Sequence, residues 1–243
     1  MQLFKEEEPD KLYQYLQNFG MYTPNRKTYE YYQDMKKQDV WKKADEFFTL
    51  YQRKWKGPDV PVYIFPVKAM QSIFVRHQLG KSGVSFKDKI FLFLAPAQDL
   101  KELEALFVHE YHHVCRMNAI KKKISEYTLL DSIVLEGLAE HAVRIFCGED
   151  YVSEWSTYYT KKEIETYWVQ FIESHLRKKK TERLHDHILF GKRNVPDMLG
   201  YAAGYVMISK YTETNKFTLS DSLTKPAEAF LTVWNTDAEG FKI

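Results

Sequence analysis

The stretch LFVHEYHHVC, residues 106–115, constrains the fold of this chain more than any other segment. Asp99 and Glu102 are spaced as a capping box, which predicts that a helix begins at Leu100 and continues to residue 120. The apolar stripe of this helix comprises Leu103, Phe107, Tyr111 and Val114. Three histidines and a glutamate on such a helix are either ligands and partners of a catalytic metal or polar residues that happen to cluster on a core helix.

The three histidines of this helix are not equivalent. His109 and His113 are four residues apart, so they lie one above the other on the same helical face. Glu110 lies between this pair and the centre of the apolar stripe. His112 points about 80° away from the pair and is expected to lie further from the core. We therefore predict that His109 and His113 are the ligands, and that His112 is either a bystander or a residue that supports the ligands without binding the metal itself.

The pattern H-E-x-x-H is typical of zinc sites in which two imidazoles on one helical face hold the metal. The glutamate between them, Glu110, then acts as the general base. The alternative interpretation is a core helix whose histidines cluster by chance. A catalytic zinc site also needs a third protein ligand and an open position for water, so the rest of the chain must supply another donor.

A second helix, predicted over residues 128–147, supplies candidates for that donor. Its start is capped by Thr128, and Gly148 suits its C-terminal end. Glu136 and Glu140 share one face of this apolar helix, and a metal or an imidazolium is a suitable partner for them, because an unpaired carboxylate is costly to bury. Gly137 costs about 1 kcal/mol relative to alanine in a helix interior, which suggests that a neighbouring backbone or a ligand comes close. The alternative is that both acids face solvent and the glycine is incidental.

The combination of HEYHH with the later LEGLAEH resembles the gluzincin metallopeptidases. It resembles more closely a bacterial family of uncharacterised proteins described as predicted zinc-dependent proteases, over about residues 85–210. The resemblance implies a zincin-like domain with one Zn²⁺ per chain and Glu136 as the third ligand. Glu140 would accept a hydrogen bond from the first zinc histidine. The loop between the two helices differs in length from the best-known gluzincins, so the reverse assignment of Glu136 and Glu140 stays open.

The expected chemistry is hydrolysis of a peptide bond. Zinc activates the attacking water, and Glu110 takes the water proton and passes it to the leaving amine. A further donor should stabilise the oxyanion. Tyr205 and Tyr201, four residues apart, are the favoured candidates, with His185 and His187 as weaker ones, although the tyrosines could instead be packing residues. The helix that carries these tyrosines also has three small residues, Gly200, Ala203 and Gly204, which predict that it approaches another helix closely.

The remaining patterns predict an α+β fold that is mostly helical with a small β-sheet. Strands are expected at residues 62–67 and 90–95, and GKSG at 80–83 is interpreted as a turn. Further helices are expected over 3–56 with an interruption near residues 23–25, and over 154–179, 196–211 and 226–234. We expect residues 1–57 to form a helical segment packed on a catalytic domain of residues 58–243. The resemblance implies that the strand at 90–95 binds an extended peptide by edge pairing.

The overall composition narrows the functional classes. With 35 basic and 33 acidic residues the formal net charge is +2, which argues against a nucleic-acid partner. The longest apolar run, residues 90–97, is too short to span a bilayer, and the N-terminus does not resemble a signal peptide. Cys115 and Cys147 could form a single disulfide, but the favoured prediction is two buried free thiols. We therefore expect a cytoplasmic protein that acts on peptides or proteins.

Two other functions are compatible with the same residues. One is a metal-dependent hydrolase of a non-peptide substrate. The other is a non-catalytic zinc-binding protein with a regulatory or interaction role. The presence of Glu110 favours catalysis, because an inactive descendant would be expected to lose its general base first.

Overall fold

The computed structural model describes residues 9–68, 81–96 and 99–235. Helices dominate this part of the chain and accompany one three-stranded sheet, which confirms the predicted α+β, mostly helical class. The chain divides into two compact units. Among the described residues, the sheet unit contains 9–68, 81–96, 99–115 and 146–151, and the helical unit contains 116–145 and 152–235. The expected division at residues 57 and 58 stays a prediction.

Three helices precede the sheet, and they are α1 (Pro9–Gln17), α2 (Arg26–Lys37) and α3 (Val40–Trp55). The expected interruption between the first two is confirmed by a capping box at the start of α2. There the Asn25 side chain accepts a hydrogen bond from the Thr28 backbone N–H, and the Thr28 side chain accepts one from the Asn25 N–H. These reciprocal bonds satisfy amide groups that the first helical turn leaves without partners.

The sheet consists of β1 (Val62–Pro66), β2 (Lys81–Phe86) and β3 (Lys89–Leu94), in the order β1-β3-β2. β3 runs parallel to β1 and antiparallel to β2. The strands predicted at 62–67 and 90–95 are thus confirmed. The expectation that the latter strand offers a free edge is wrong, since β3 is paired on both sides. β2 lies at the end of the sheet.

The interpretation of GKSG as a turn is also wrong, because Lys81, Ser82 and Gly83 belong to β2. The stretch KSGVSF has little of the β-branched and aromatic character that identifies a strand from sequence. Its extended form comes from pairing with β3 and from packing. One face of β2 meets the N-terminal helices: Ser82 Oγ donates to the Phe19 carbonyl, and Val84 and Phe86 pack beside Phe91.

The helix α4 (Leu100–Ile120) has the predicted bounds. Asp99 caps it by accepting a hydrogen bond from the Lys101 backbone N–H at 2.8 Å. The Glu102 carboxylate pairs with the Lys81 ammonium of β2, so it links the helix to the sheet. Within the sheet unit, α4 packs through Phe107 and Tyr111 against aromatic side chains of α3, namely Phe48, Tyr51 and Trp55.

The helical unit is built around α5 (Leu129–Cys147) and α8 (Leu199–Thr214). Thr128 caps α5 as predicted, through a reciprocal pair of hydrogen bonds with Asp131. Gly148 follows the helix with a φ of +110°, a left-handed conformation that glycine adopts readily. The apolar sides of α5 and α8 contribute most of the buried core of this unit.

The predicted continuous helix over 154–179 is wrong. The structure has a 3₁₀ turn at Glu154–Thr157, helix α6 at Lys161–Tyr167, a π-helical turn at Trp168–Ile172 and a further 3₁₀ turn at Glu173–His175. Thr160 forms a capping box with Glu163, which begins α6 as a new helix. Two short helices that the sequence did not predict are α7 (Arg183–Leu189) and α9 (Leu219–Thr224). The expected C-terminal helix is a 3₁₀ turn at Ala227–Leu231 followed by α10 (Thr232–Asn235).

Both cysteines are buried free thiols, as predicted. Burial raises the pKa of Cys115 to about 12 and that of Cys147 to about 11, because a thiolate is poorly solvated there. Within residues 9–68, 81–96 and 99–235, no helix combines the length and apolar character needed to cross a bilayer.

Candidate metal centre

The two histidines predicted as ligands face each other on α4. The ring centroids of His109 and His113 are 4.6 Å apart, and their planes are nearly perpendicular at 84°. His113 is 7% exposed and His109 is half-buried. This proximity follows from the four-residue spacing on a regular helix, so the prediction that they share one helical face is confirmed.

Glu136 of α5 joins this pair. One ligand atom from each residue, an imidazole nitrogen of His109 and of His113 and a carboxylate oxygen of Glu136, lies within 4.8 Å of the other two. Two imidazoles and one carboxylate are a donor set that suits Zn²⁺ and leaves room in its coordination sphere for a water molecule. The structure therefore contains a candidate metal site at the three residues predicted as ligands.

Glu110, the predicted general base, is buried with 6% of its surface exposed and lies against β2. Ser85 Oγ is 2.5 Å from its Oε2 and 2.9 Å from its backbone oxygen. A Cβ atom added at Gly83 would lie 2.5 Å from Oε1, so glycine leaves space for the carboxylate in this position. The sequence did not identify Ser85 or Gly83 as part of the site, because neither belongs to a motif and part of their strand was interpreted as a turn.

His112 does not lie away from the core as expected, since none of its surface is exposed. Its ring meets Trp55 edge-on, with centroids 5.9 Å apart. Helical periodicity predicts which face of α4 is richest in apolar residues, but aromatic side chains of α3 also cover this part of α4. The assignment of His112 as a residue that supports the ligands stays a prediction.

Glu140 lies one turn after Glu136 and is 1% exposed. The Ser153 backbone N–H donates a hydrogen bond to its Oε1. This contact supplies part of the stabilisation that a buried carboxylate requires. The hydrogen bond expected from the first zinc histidine to Glu140 stays a prediction.

Gly137, between the two acids, marks a close approach of two helices, as predicted. A Cβ atom at Gly137 would overlap the backbone of Gly204 in α8, and one at Gly204 would overlap the Ile133 carbonyl oxygen of α5. Gly200 similarly approaches Leu189 of α7. These small residues fix the position of α8 against the helix that carries Glu136.

The tyrosines proposed for the oxyanion differ in their surroundings. Tyr201 packs between Trp155 and Phe190, with ring centroids at 5.2 and 5.7 Å. Tyr205 lies one turn later on α8 and is half-buried. The Tyr201 ring therefore has a packing role in the core of the helical unit, which was the alternative interpretation of both tyrosines.

The weaker histidine candidates lie on α7. His185 is fully buried, with Nε2 2.9 Å from Ser132 Oγ and Nδ1 2.8 Å from Asp186 Oδ1. Because both ring nitrogens are engaged, His185 has no N–H left to offer to an oxyanion. The hydrogen bond from His185 lowers the pKa of the Asp186 carboxyl group. His187 is half-buried on the same helix.

Comparison with known proteins places these residues in a family. The DUF2268 family, described as "Predicted Zn-dependent protease", matches residues 40–232. The uncharacterized protein YjaZ of Bacillus subtilis is 38% identical over 218 residues, which cover 89% of this chain and 83% of that protein. The chain belongs to the DUF2268 family.

A more distant relative is the uncharacterized protein YjfC of B. subtilis, 22% identical over 142 residues that cover 55% of this chain and 47% of that protein. No solved structure matches the chain significantly. The DUF2268 match includes β2, α4, α5 and α8, and therefore every candidate residue discussed above. The expected membership in a family of uncharacterised proteins described as predicted zinc-dependent proteases is confirmed.

Proposed function

We propose that this protein is a zinc-dependent peptidase. The observation that carries the proposal is the convergence of His109, His113 and Glu136 with Glu110 adjacent in sequence to the first of them. The family description supports the same activity class. His109, His113 and Glu136 would hold Zn²⁺. Glu110 would accept and donate the protons of the reaction.

The three proposed ligands fit zinc by the chemistry of their donors. Neutral imidazoles and a carboxylate are the protein ligands of many catalytic zinc sites, in which a water or the substrate completes the coordination. A bound Zn²⁺ would act as a Lewis acid on the scissile carbonyl and would lower the pKa of a coordinated water. Glu140, four residues after Glu136, would orient a ligand histidine by accepting its second N–H.

Glu110 would act as the general base and then as the general acid. Its carboxylate would accept a proton from the attacking water and donate one to the amine that leaves when the peptide bond breaks. The side chain is largely shielded from solvent, which strengthens its interactions with charges that develop nearby. Tyr205 is the favoured donor to the oxyanion, and Tyr201 is less favoured because its ring is packed between Trp155 and Phe190.

The sheet offers a place for an extended substrate. β2 lies at the end of the strand order, and the described residues place no strand on its other side. A strand at the end of a sheet has backbone groups that can pair with an added peptide strand. The face of β2 that carries Gly83 and Ser85 also contacts Glu110. We therefore propose that a peptide pairs with β2, where the general base could reach it.

Replacement of the general base tests this function. We expect Glu110→Gln to retain zinc and to reduce kcat on a pool of internally quenched peptides by roughly 100-fold or more, because the amide cannot accept the water proton. Glu149→Gln, at an exposed position, is the matched control and should leave kcat unchanged. Undiminished turnover in Glu110→Gln would remove this residue from the role of base.

The same screen distinguishes the chemical class of substrate. A panel of simple esters and amides should be hydrolysed poorly if the site is built for an extended peptide. If the wild-type protein cleaved these compounds and no peptide, the metal site would belong to a hydrolase of a non-peptide substrate.

A further inference from the structure

Two residues of β2, Ser85 and Gly83, hold the side chain of Glu110 against the sheet. Side chains alternate along a strand, so Lys81, Gly83 and Ser85 share one face of β2. That face meets α4: Lys81 pairs with Glu102, and the other two positions contact Glu110. The opposite face, with Ser82, packs against the N-terminal helices.

The contacts at this face specify where each oxygen of the Glu110 carboxylate lies. Ser85 Oγ is 2.5 Å from Oε2, a distance typical of a hydrogen bond from a hydroxyl to a carboxylate. Oε1 and the adjacent carbon atoms lie over Gly83, where an added Cβ would be 2.5 to 2.6 Å away. A hydroxyl therefore fixes one oxygen, and the missing side chain makes room for the other.

The backbone of the same residue is held by the same hydroxyl. Ser85 Oγ is 2.9 Å from the Glu110 carbonyl oxygen, so it touches both ends of the residue. A hydroxyl has one proton to donate, and the shorter contact is to the carboxylate. These contacts leave Glu110 fewer rotamers than a glutamate on an open helical face would have.

We propose that Ser85 and Gly83 form a seat for the general base and that Ser85 is a positioning residue of the reaction. The inference rests on the proposed function only in giving Glu110 its catalytic role. Orientation of a catalytic group contributes strongly to rate, and a displacement of about 1 Å can cost roughly 100-fold. Ser85 acts on the rate through Glu110, without contact with the reacting atoms.

If Ser85 positions the general base, its replacement should change kcat and leave KM nearly unchanged. Ser85→Ala should lower kcat on the quenched-peptide pool by roughly 10- to 100-fold with KM, zinc content and Tm close to those of the wild type. Ser85→Thr keeps the hydroxyl and should recover most of kcat. Ser220→Ala removes an exposed hydroxyl outside the sheet and the site, and it should leave kcat unchanged. If the fall in kcat of Ser85→Ala were matched by a loss of zinc or a lower Tm, the seat would be overturned. A Ser85→Thr variant that failed to recover kcat would also overturn it.

Crystal structures of the Ser85→Ala and Ser220→Ala variants test the seat without any activity. We expect Glu110 to change its rotamer or to occupy several rotamers in Ser85→Ala, and to keep its position in Ser220→Ala. An unchanged Glu110 in Ser85→Ala would overturn the seat. If Glu110→Gln lost turnover while Ser85→Ala retained it, the proposed function would stand and the seat would be wrong. If neither the wild type nor any variant cleaved a peptide, the Glu110 rotamers in the two crystal structures would still show whether Ser85 positions this side chain.

Discussion

At the scale of single residues, the predicted ligands were recognisable because helix geometry fixes their relation. A four-residue spacing brings His109 and His113 together in any regular helix. Two acids on the apolar second helix need a partner, and the family resemblance implies that Glu136 is the one that binds the metal. Ser85 and Gly83 could not be found this way. Their relation to Glu110 depends on how β2 packs against α4, which no local spacing encodes.

The burial of His141 gives a prediction at the same scale. This histidine of α5 is 6% exposed, lies 3.1 Å from the Arg144 guanidinium and contacts the Phe217 ring. Desolvation, with a smaller contribution from Arg144, lowers its pKa to about 4. The unfolded chain binds the proton near pH 6.5, so this contribution to stability is present above pH 6.5 and is lost as the pH falls towards 4.

We expect the free energy of unfolding of zinc-free protein to fall by about 2–3 kcal/mol between pH 7 and pH 4 through this group. Urea denaturation at several pH values measures it. His141→Asn should show a shallower dependence over that range, because asparagine does not titrate. Zinc-free protein is required, because metal binding itself depends on pH. Equal slopes for the variant and the wild type would contradict the assignment.

At the scale of elements, strong and regular patterns predicted the long helices well. The bounds of α4 matched, and those of α5 differed by one residue, because each combines an N-terminal capping residue with sustained helical spacing. β2 was missed because only two of its six residues, Val84 and Phe86, favour a strand. The segment 154–179 was misinterpreted because the new helix start at Thr160 was not recognised within a continuous run of helical spacing.

The crossing of α5 and α8 gives a prediction about packing. Replacing glycine by alanine inside a helix normally stabilises it by about 1 kcal/mol. At Gly204 we expect the opposite sign, a loss of about 1–3 kcal/mol, because the added methyl group would overlap the Ile133 carbonyl oxygen. Thermal and urea unfolding measure the change.

A matched control for this crossing is Ile145→Ala, at a position of α5 that is 60% exposed and should change stability by less than about 0.5 kcal/mol. A Gly204→Ala protein more stable than the wild type would show that the two helices are not in close contact at this point.

At the scale of the whole molecule, the fold class and family were predictable and the division into units was not. Two of the boundaries between the units fall inside continuous helices, between residues 115 and 116 of α4 and between 145 and 146 of α5, and a third lies between residues 151 and 152. Sequence analysis looks for domain boundaries in loops and linkers, so it does not detect a division of this kind. The functional proposal for the whole chain depends on whether His109 and His113 of α4 and Glu136 of α5 bind one metal ion.

Zinc content per chain, measured by elemental analysis after gel filtration, tests that claim most directly. We expect about one zinc in the wild type and in a control variant, His175→Ala, which removes a histidine outside the site. His109→Ala, His113→Ala and Glu136→Ala should each lose most of the metal while keeping their helical circular dichroism. Metal loss in Glu140→Ala with retention in Glu136→Ala would exchange the roles of these two acids. Full zinc occupancy in all three ligand variants would contradict the proposed metal site.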